Sequence, residues 1–111
     1  MIEYSDELGL IKIERGEVVF TNTKPMVLDI YAEWCGHCKT MMGMFENDIE
    51  KEYPDVDFIK LDAEVHKEII QALRVQSLPN IYYVPVEDEK AFNFVGIQPP
   101  TLIKKNIEKI I

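Results

Sequence analysis

The chain has 111 residues, of which 47% are hydrophobic and 29% are charged. Its 12 basic and 20 acidic side chains give a formal net charge of −8. This excess of acidic side chains argues against binding to nucleic acids or anionic membranes, because both are bound by clustered Lys and Arg. No apolar run reaches the ~18 residues of a membrane-spanning helix, and the acidic N-terminus does not resemble a signal peptide. We therefore expect a single domain over residues 1–111, monomeric and cytoplasmic.

The first 24 residues are predicted to form a β-hairpin. Residues 10–14 alternate apolar and polar side chains, Arg15–Glu17 can turn, and Val18–Phe20 can return as a second strand. Thr21–Pro25 is a polar loop that ends at a proline. A helix over residues 5–14 is the alternative interpretation.

Residues 26–32 are apolar except for Asp29, which is typical of a central strand buried on both faces. An aspartate is rarely buried without a partner or a task. Asp29 is therefore a candidate functional residue, and an edge position with access to water is the alternative.

After this strand, residues 34–39 read Trp-Cys-Gly-His-Cys-Lys and contain both cysteines of the chain. Apolar residues then recur at helical spacing up to Tyr53, and Pro54 ends the pattern. Gly43 lies inside this predicted helix and would allow a bend. The pair Cys35–Cys38 is thus predicted at a strand-to-helix junction, a position that favours a redox motif.

The remaining chain alternates strands and helices. Strands are predicted over 56–61, 81–84 and 92–95, with a turn at Ser77–Asn80 and a charged turn at Glu87–Lys90. Asp62 is expected to cap a helix with apolar residues at 65, 69, 72 and 73, and a last helix follows residues 98–101. This order predicts an α/β fold with a mixed sheet and helices on both faces.

The two cysteines are expected to have different roles. Cys35 would precede the first turn of the helix, where free N–H groups and the positive end of the helix dipole stabilise a thiolate. Cys38 would lie one turn into the helix and be more buried. Because the thiolate is the attacking species, Cys35 is the predicted nucleophile and Cys38 the resolving thiol.

His37 lies between the cysteines, where an imidazolium would stabilise the Cys35 thiolate and make the disulfide more oxidising. A solvated histidine without this effect is the alternative. A zinc site would need a second ligand pair, yet only His37 and His66 remain. Haem attachment would need a histidine where Lys39 stands. An inert structural disulfide is disfavoured, because so small a ring constrains little of the unfolded chain.

Residues 29–39 (Asp-Ile-Tyr-Ala-Glu-Trp-Cys-Gly-His-Cys-Lys) resemble the active-site signature of the thioredoxin superfamily. The dipeptide Gly36–His37 is similar to that of protein disulfide isomerase domains, whereas thioredoxins usually carry Gly-Pro. Ser77–Asn80 resembles the family's cis-proline loop. Lys60 stands where thioredoxins carry a lysine near the buried acid, and Gly96 matches a glycine after the last strand. The resemblance implies a thioredoxin fold and a thiol–disulfide oxidoreductase.

It also implies roles for individual residues. Asp29 would be the buried acid that exchanges a proton with Cys38; burial would raise its pKa, and Lys60 would oppose the rise. Pro79 would be cis and would face the cysteine pair.

The substrate surface follows from the same resemblance. The main chain of Leu78 would pair with an extended substrate segment, and Trp34 would be an apolar platform beside the thiol. Gly36 and Gly96 would belong to this surface.

The chain also departs from the family. Residues 1–24 do not show the opening strand and helix, and Gly43 replaces a kinking proline. No metal or organic cofactor is expected. The expected partners are protein disulfides or dithiols, together with a thioredoxin reductase or a small thiol as electron donor. A redox-sensing binding module, gated by the Cys35–Cys38 disulfide without turnover, is the alternative function.

Overall fold

The computed structural model describes residues 1–86 and 90–111. Most of the predicted turn over Glu87–Lys90 lies outside these ranges. The described strands are β1 (Ile2–Glu3), β2 (Ile11–Glu14), β3 (Glu17–Phe20), β4 (Met26–Tyr31), β5 (Asp57–Asp62), β6 (Asn80–Val84) and β7 (Phe92–Val95). The described α-helices are α1 (Gly36–Met44), α2 (Lys67–Leu73) and α3 (Pro100–Glu108).

The main sheet has the strand order β1-β5-β4-β6-β7. Strands β1, β5 and β4 are parallel to one another, whereas β6 and β7 run antiparallel to their neighbours. Strand β4 is central and every one of its residues is buried, which confirms the prediction of a mixed sheet around residues 26–32. The carboxyl end of β4 leads directly to the cysteine pair.

The two faces of the sheet are covered differently. Helices α1 and α3 pack on one face, where the buried side chains include Val27, Met41, Phe45, Phe58, Ile81, Tyr83, Ile103 and Ile107. Helix α2 and the strands β2 and β3 pack on the other face, over Met26, Leu28, Ile30, Ile59, Leu61 and Ile69. Helices therefore lie on both faces, as predicted. Within the described ranges, no helix combines the length and the apolar composition needed to span a membrane.

The N-terminal hairpin prediction is confirmed, because β2 and β3 form an antiparallel pair with Ile11 opposite Phe20 and Glu14 opposite Glu17. Arg15 and Gly16 connect them with φ values of 54° and 79°. Two consecutive positive φ values are typical of a type I′ turn. The helical alternative is wrong beyond one short 3-10 turn at Asp6–Leu8. Strand β1 was not predicted.

The Arg15→Asn variant should be more stable than the parent chain by about 0.5–1 kcal/mol, because asparagine tolerates the left-handed conformation better than arginine does. Urea denaturation would measure the gain as a higher midpoint. The matched Arg15→Val variant should lose stability, because a β-branched residue is strained at positive φ. Equal midpoints for the two variants would contradict this account of the turn.

The helical segment after the cysteines changes its hydrogen bonding twice. Helix α1 continues as a π-helical turn at Phe45–Ile49 and a 3-10 turn at Glu50–Glu52. Helix α1 passes through Gly43 and keeps α geometry to Met44. The change of geometry therefore begins at Phe45, two residues after the glycine.

Two expectations about the α2 region are wrong. The Asp62 carboxylate accepts a hydrogen bond from the Glu64 N–H at 2.9 Å, so it caps the turn after β5 instead of α2, which begins only at Lys67. Val65 precedes the helix and is 67% exposed. An Asx turn here competes with helix initiation for the same side chain.

Candidate redox site

The cysteine pair lies at the junction between β4 and α1. Cys35 is the N-cap residue of α1, with extended backbone (φ −91°, ψ 108°). Its Sγ accepts a hydrogen bond from the Cys38 N–H at 3.2 Å. The sulfur thus occupies the acceptor position that Ser or Asp usually fills at an N-cap, where a negative charge on Cys35 would be stabilised.

Cys35 and Cys38 are joined by a disulfide, with their Cα atoms 5.2 Å apart. Both residues are buried, Cys38 at 1% exposure and Cys35 at 7%. Cys35 lines a surface groove together with Trp34, Gly36, His37 and Leu78, whereas Cys38 lines a separate pocket near Lys60. Only Cys35 therefore lies on the groove, which agrees with the expected difference between the two cysteines.

The loop before β6 forms another wall of the groove. The Leu78–Pro79 peptide bond is cis, and the Gly96 N–H donates to the Pro79 carbonyl at 2.8 Å. Gly96 has φ +90°, a conformation that favours glycine. Among the described residues, the main chain of Leu78 has no hydrogen-bond partner. The loop thus presents unpaired main-chain groups beside the disulfide.

Trp34 is 70% exposed and lies at the rim of the groove. Its indole Nε1–H donates to Glu64 Oε1 at 3.3 Å, which holds the ring beside Cys35. The same ring lines an adjoining surface with Ala63, Ile70, Val75 and Leu78. Sequence reasoning found Trp34 but not Glu64, because nothing in the sequence places the turn after β5 against the ring.

Asp29 lies in the middle of β4 with an exposed fraction of 0%. Strand alternation places it on the face that carries Val27, which α1 and α3 cover. Neither carboxylate oxygen has a hydrogen-bond partner among the described residues. Burial raises the Asp29 pKa from 3.8 to about 7, while Lys60 lowers it and Glu46 raises it. Asp29 can therefore gain or lose a proton near neutral pH.

Lys60 is the neighbour of Asp29 on β5, in direct register. Its side chain is half-buried and lines the pocket that contains Cys38. His37 is exposed in the first turn of α1. The structure thus brings Lys60 to the buried acid and leaves the His37 side chain in solvent, beside the disulfide.

The family model for thioredoxin matches residues 12–109. The chain belongs to the thioredoxin family. It is 40% identical over 68 residues to a thioredoxin of Borreliella burgdorferi, an alignment that covers 61% of this chain and 58% of that protein. It is 30% identical over 87 residues to a protein disulfide-isomerase of Schizosaccharomyces pombe, covering 77% of this chain and 24% of that protein.

Solved structures agree with this assignment to the thioredoxin family. The thioredoxin of Trypanosoma brucei brucei superposes with a TM-score of 0.69 at 30% identity, covering 81% of this chain and 77% of that one. Chloroplastic thioredoxin z superposes with a TM-score of 0.78 over 99% of this chain and 93% of that chain, at 24% identity, which shows the fold alone. The comparisons therefore agree on membership of the thioredoxin family.

The chain spans 58% of the first of these relatives and 24% of the second. Thioredoxins and a disulfide isomerase both occur among its relatives, so the comparisons place it in the family without separating the two types. Within the part of the chain that the structure describes, no group of three or more His, Cys, Asp and Glu side chains lies close enough to hold a metal ion.

Proposed function

We propose that this thioredoxin-family protein catalyses thiol–disulfide exchange on protein substrates through its Cys35–Cys38 pair, as a single domain over residues 1–111. The observation that carries the proposal is the position of Cys35, which is at once the N-cap of α1 and a wall of the groove formed with the cis-proline loop. A thiolate is stabilised there and faces an accessible surface. Cys38 lies behind it, within the span of a disulfide.

In the reductive direction, the Cys35 thiolate attacks one sulfur of a substrate disulfide, and the other substrate sulfur leaves as a thiolate that takes up a proton. Cys38 then loses its proton to Asp29 and attacks the Cys35 sulfur. The new Cys35–Cys38 bond forms as the bond between Cys35 and the substrate breaks. Asp29 suits this task, since its pKa of about 7 lets it accept a proton near neutral pH.

The groove is suited to an extended apolar segment that carries the target cysteine. Trp34 and Leu78 give it two apolar side chains, and Gly36 leaves its floor without a side chain. The unpaired main chain of Leu78 can add the substrate as an extra strand. The N–H of Gly96, the residue after β7, holds the Pro79 carbonyl in place.

The substrates are therefore protein disulfides or dithiols, and the electron donor is a thioredoxin reductase or a small thiol. The two thiols of the reduced pair carry the electrons, so the proposed cycle needs neither metal nor organic cofactor. Both cysteines of the chain belong to this pair. A cysteine pair that cycles between dithiol and disulfide suits the reducing cytoplasm, where structural disulfides are rare. We therefore propose a cytoplasmic location, and we propose that the protein is a monomer.

Reduction of insulin by dithiothreitol tests the proposal. The protein at catalytic concentration should accelerate insulin precipitation over many turnovers. A protein whose pair cycles between dithiol and disulfide without accelerating insulin reduction would instead match the redox-sensing binding module. The double variant Cys35→Ser, Cys38→Ser is the matched control for effects of added protein.

The dipeptide between the cysteines sets the preferred direction of electron flow. We propose that the exposed His37 makes this pair more oxidising than a Gly-Pro thioredoxin, because an imidazolium near Cys35 stabilises the thiolate and thus the reduced form. Thioredoxin has a potential of about −270 mV and protein disulfide isomerase about −180 mV, and we expect an intermediate or isomerase-like value.

The His37→Pro variant should therefore have a reduction potential more negative by several tens of millivolts, of the order that separates these two types. The sole tryptophan, Trp34, adjoins the pair and can report oxidation by fluorescence in glutathione buffers. His37→Gln is the matched control for a neutral polar residue. An unchanged potential in both variants would contradict an electronic role for His37.

A further inference from the structure

A second pocket lies beside the resolving cysteine. It has a volume of about 220 Å³, and its walls include Cys38, Lys60, Tyr31 and Glu3. It shares no residue with the groove beside Cys35. A substrate in the groove would therefore leave this pocket open to water.

Two of the charged residues that line the pocket, Glu3 and Lys60, belong to a row of in-register residues that ends at the buried Asp29. Glu3 on β1 is in register with Lys60 on β5, and Lys60 is in register with Asp29 on β4. Partners in register on parallel strands project to the same face of the sheet. Along the sheet, Lys60 therefore stands between Glu3, which is exposed, and Asp29, which is fully buried.

Tyr31 fixes the outer carboxyl group of this row. Its hydroxyl donates a hydrogen bond to Glu3 Oε1 at 2.7 Å. Tyr31 is itself 7% exposed and lies two residues after Asp29 on β4, so its ring has little freedom. The bond holds the Glu3 carboxylate over the pocket, on the same face as Lys60.

The other groups that face Asp29 are few among the described residues. Glu46, on the helical segment after α1, raises the Asp29 pKa. Tyr83 on β6 interacts with Asp29 and stays neutral near pH 7, since burial raises its pKa to about 12. The Asn106 side chain on α3 faces Tyr83 and carries no charge. Among these groups, Lys60 is the cation that lowers the Asp29 pKa, and Glu3 is the other acidic residue in register with it. Glu33 and Lys39 also line the pocket that contains Lys60.

We propose that Glu3 is a positioning residue for the proton-transfer step: it draws the Lys60 ammonium away from Asp29 and so favours proton uptake by Asp29 when Cys38 attacks. The proposal rests on the proposed function. In that step the Cys38 proton moves to the Asp29 carboxylate, the Cys38 sulfur bonds to Cys35, and the substrate sulfur leaves as a thiolate. The Asp29 proton then returns to water on the side of Lys60, which lines the pocket.

A double-mutant cycle on Glu3 and Lys60 tests this inference. In the Glu3→Gln variant, Lys60 should act more strongly on the Asp29 carboxylate. The midpoint of the Asp29 titration, followed by NMR at its carboxyl carbon, should therefore fall by roughly half a pH unit. The pH profile of mixed-disulfide resolution should move by the same amount. In a Lys60→Met background, the Glu3→Gln change should shift neither midpoint, because the positioned cation is gone.

Glu7→Gln is the control, since Glu7 is an exposed acid on the neighbouring 3-10 turn and does not line the pocket. It should leave both midpoints unchanged. An equal shift from Glu3→Gln with and without Lys60 would mean that Glu3 acts on Asp29 directly, and would overturn the inference. The inference would also be overturned if Glu3→Gln shifted neither midpoint. The NMR titration needs no turnover, so it can be measured even if the wild-type protein does not resolve a mixed disulfide. Such a failure would refute the proposed function and leave the inference about Glu3 to the titration.

Discussion

The Cys35→Ser variant should reduce insulin no faster than dithiothreitol does alone. A serine hydroxyl stays protonated at neutral pH and cannot replace the thiolate that attacks the substrate disulfide. Cys38 remains in this variant, but it is 1% exposed and does not line the groove. Initial rates of insulin precipitation, at equal protein concentration, would measure the loss.

The Cys38→Ser variant should fail at a later step. It keeps the nucleophile, so it should react once with a substrate disulfide and then remain attached to it. Thr40→Ser, a conservative change at an exposed position of α1, is the matched control and should keep full activity. Wild-type turnover by either cysteine variant would contradict a cycle that needs both thiols.

Replacing Asp29 by asparagine should change both stability and resolution. The folded protein holds the Asp29 pKa at about 7, against an ordinary value of 3.8, chiefly because the group is buried. The native state therefore binds more protons than the unfolded chain between these values, and stability falls as the pH rises from about 4 to about 7. The full effect is about 4 kcal/mol, and it stays constant above that range.

Asp29→Asn removes this buried charge. We expect the oxidised variant to be more stable than wild type by roughly 2–4 kcal/mol at pH 9 and nearly equal to it at pH 4. Urea denaturation at the two pH values measures the difference. The exposed Asp48→Asn should show no such dependence. Resolution of the mixed disulfide should slow by on the order of 10²-fold, because the proton acceptor is lost. Equal wild-type stability at pH 4 and pH 9 would contradict the titration.

The sequence was sufficient for the centre of the fold. The apolar run around Asp29 is long and uniform, and burial of every residue of β4 is what such a run implies. The hairpin β2–β3 followed from period-2 alternation interrupted by a glycine-containing turn. In both places the local pattern and the tertiary environment agree, so local reasoning was enough.

Other features depend on contacts that no local pattern contains. Strand β1 has only two residues, Ile2–Glu3, and exists because it pairs with β5. Because β1 was not predicted, the hydrogen bond from the Tyr31 hydroxyl to Glu3 could not be predicted either. The contact between Glu64 and Trp34 joins a turn to the active-site loop in the same way. The cis peptide at Pro79 was expected only through the family resemblance, since few X-Pro bonds are cis.

The position of the trapped disulfide tests the central claim most directly. Mixed disulfides formed by Cys38→Ser and by Cys35→Ser with a protein disulfide substrate can be digested without reduction and mapped by mass spectrometry. We expect substrate peptides joined to Cys35 in the first variant and no stable adduct in the second. Adducts on Cys38 in the Cys35→Ser protein, formed as fast as those on Cys35, would contradict the assignment of Cys35 as the nucleophile.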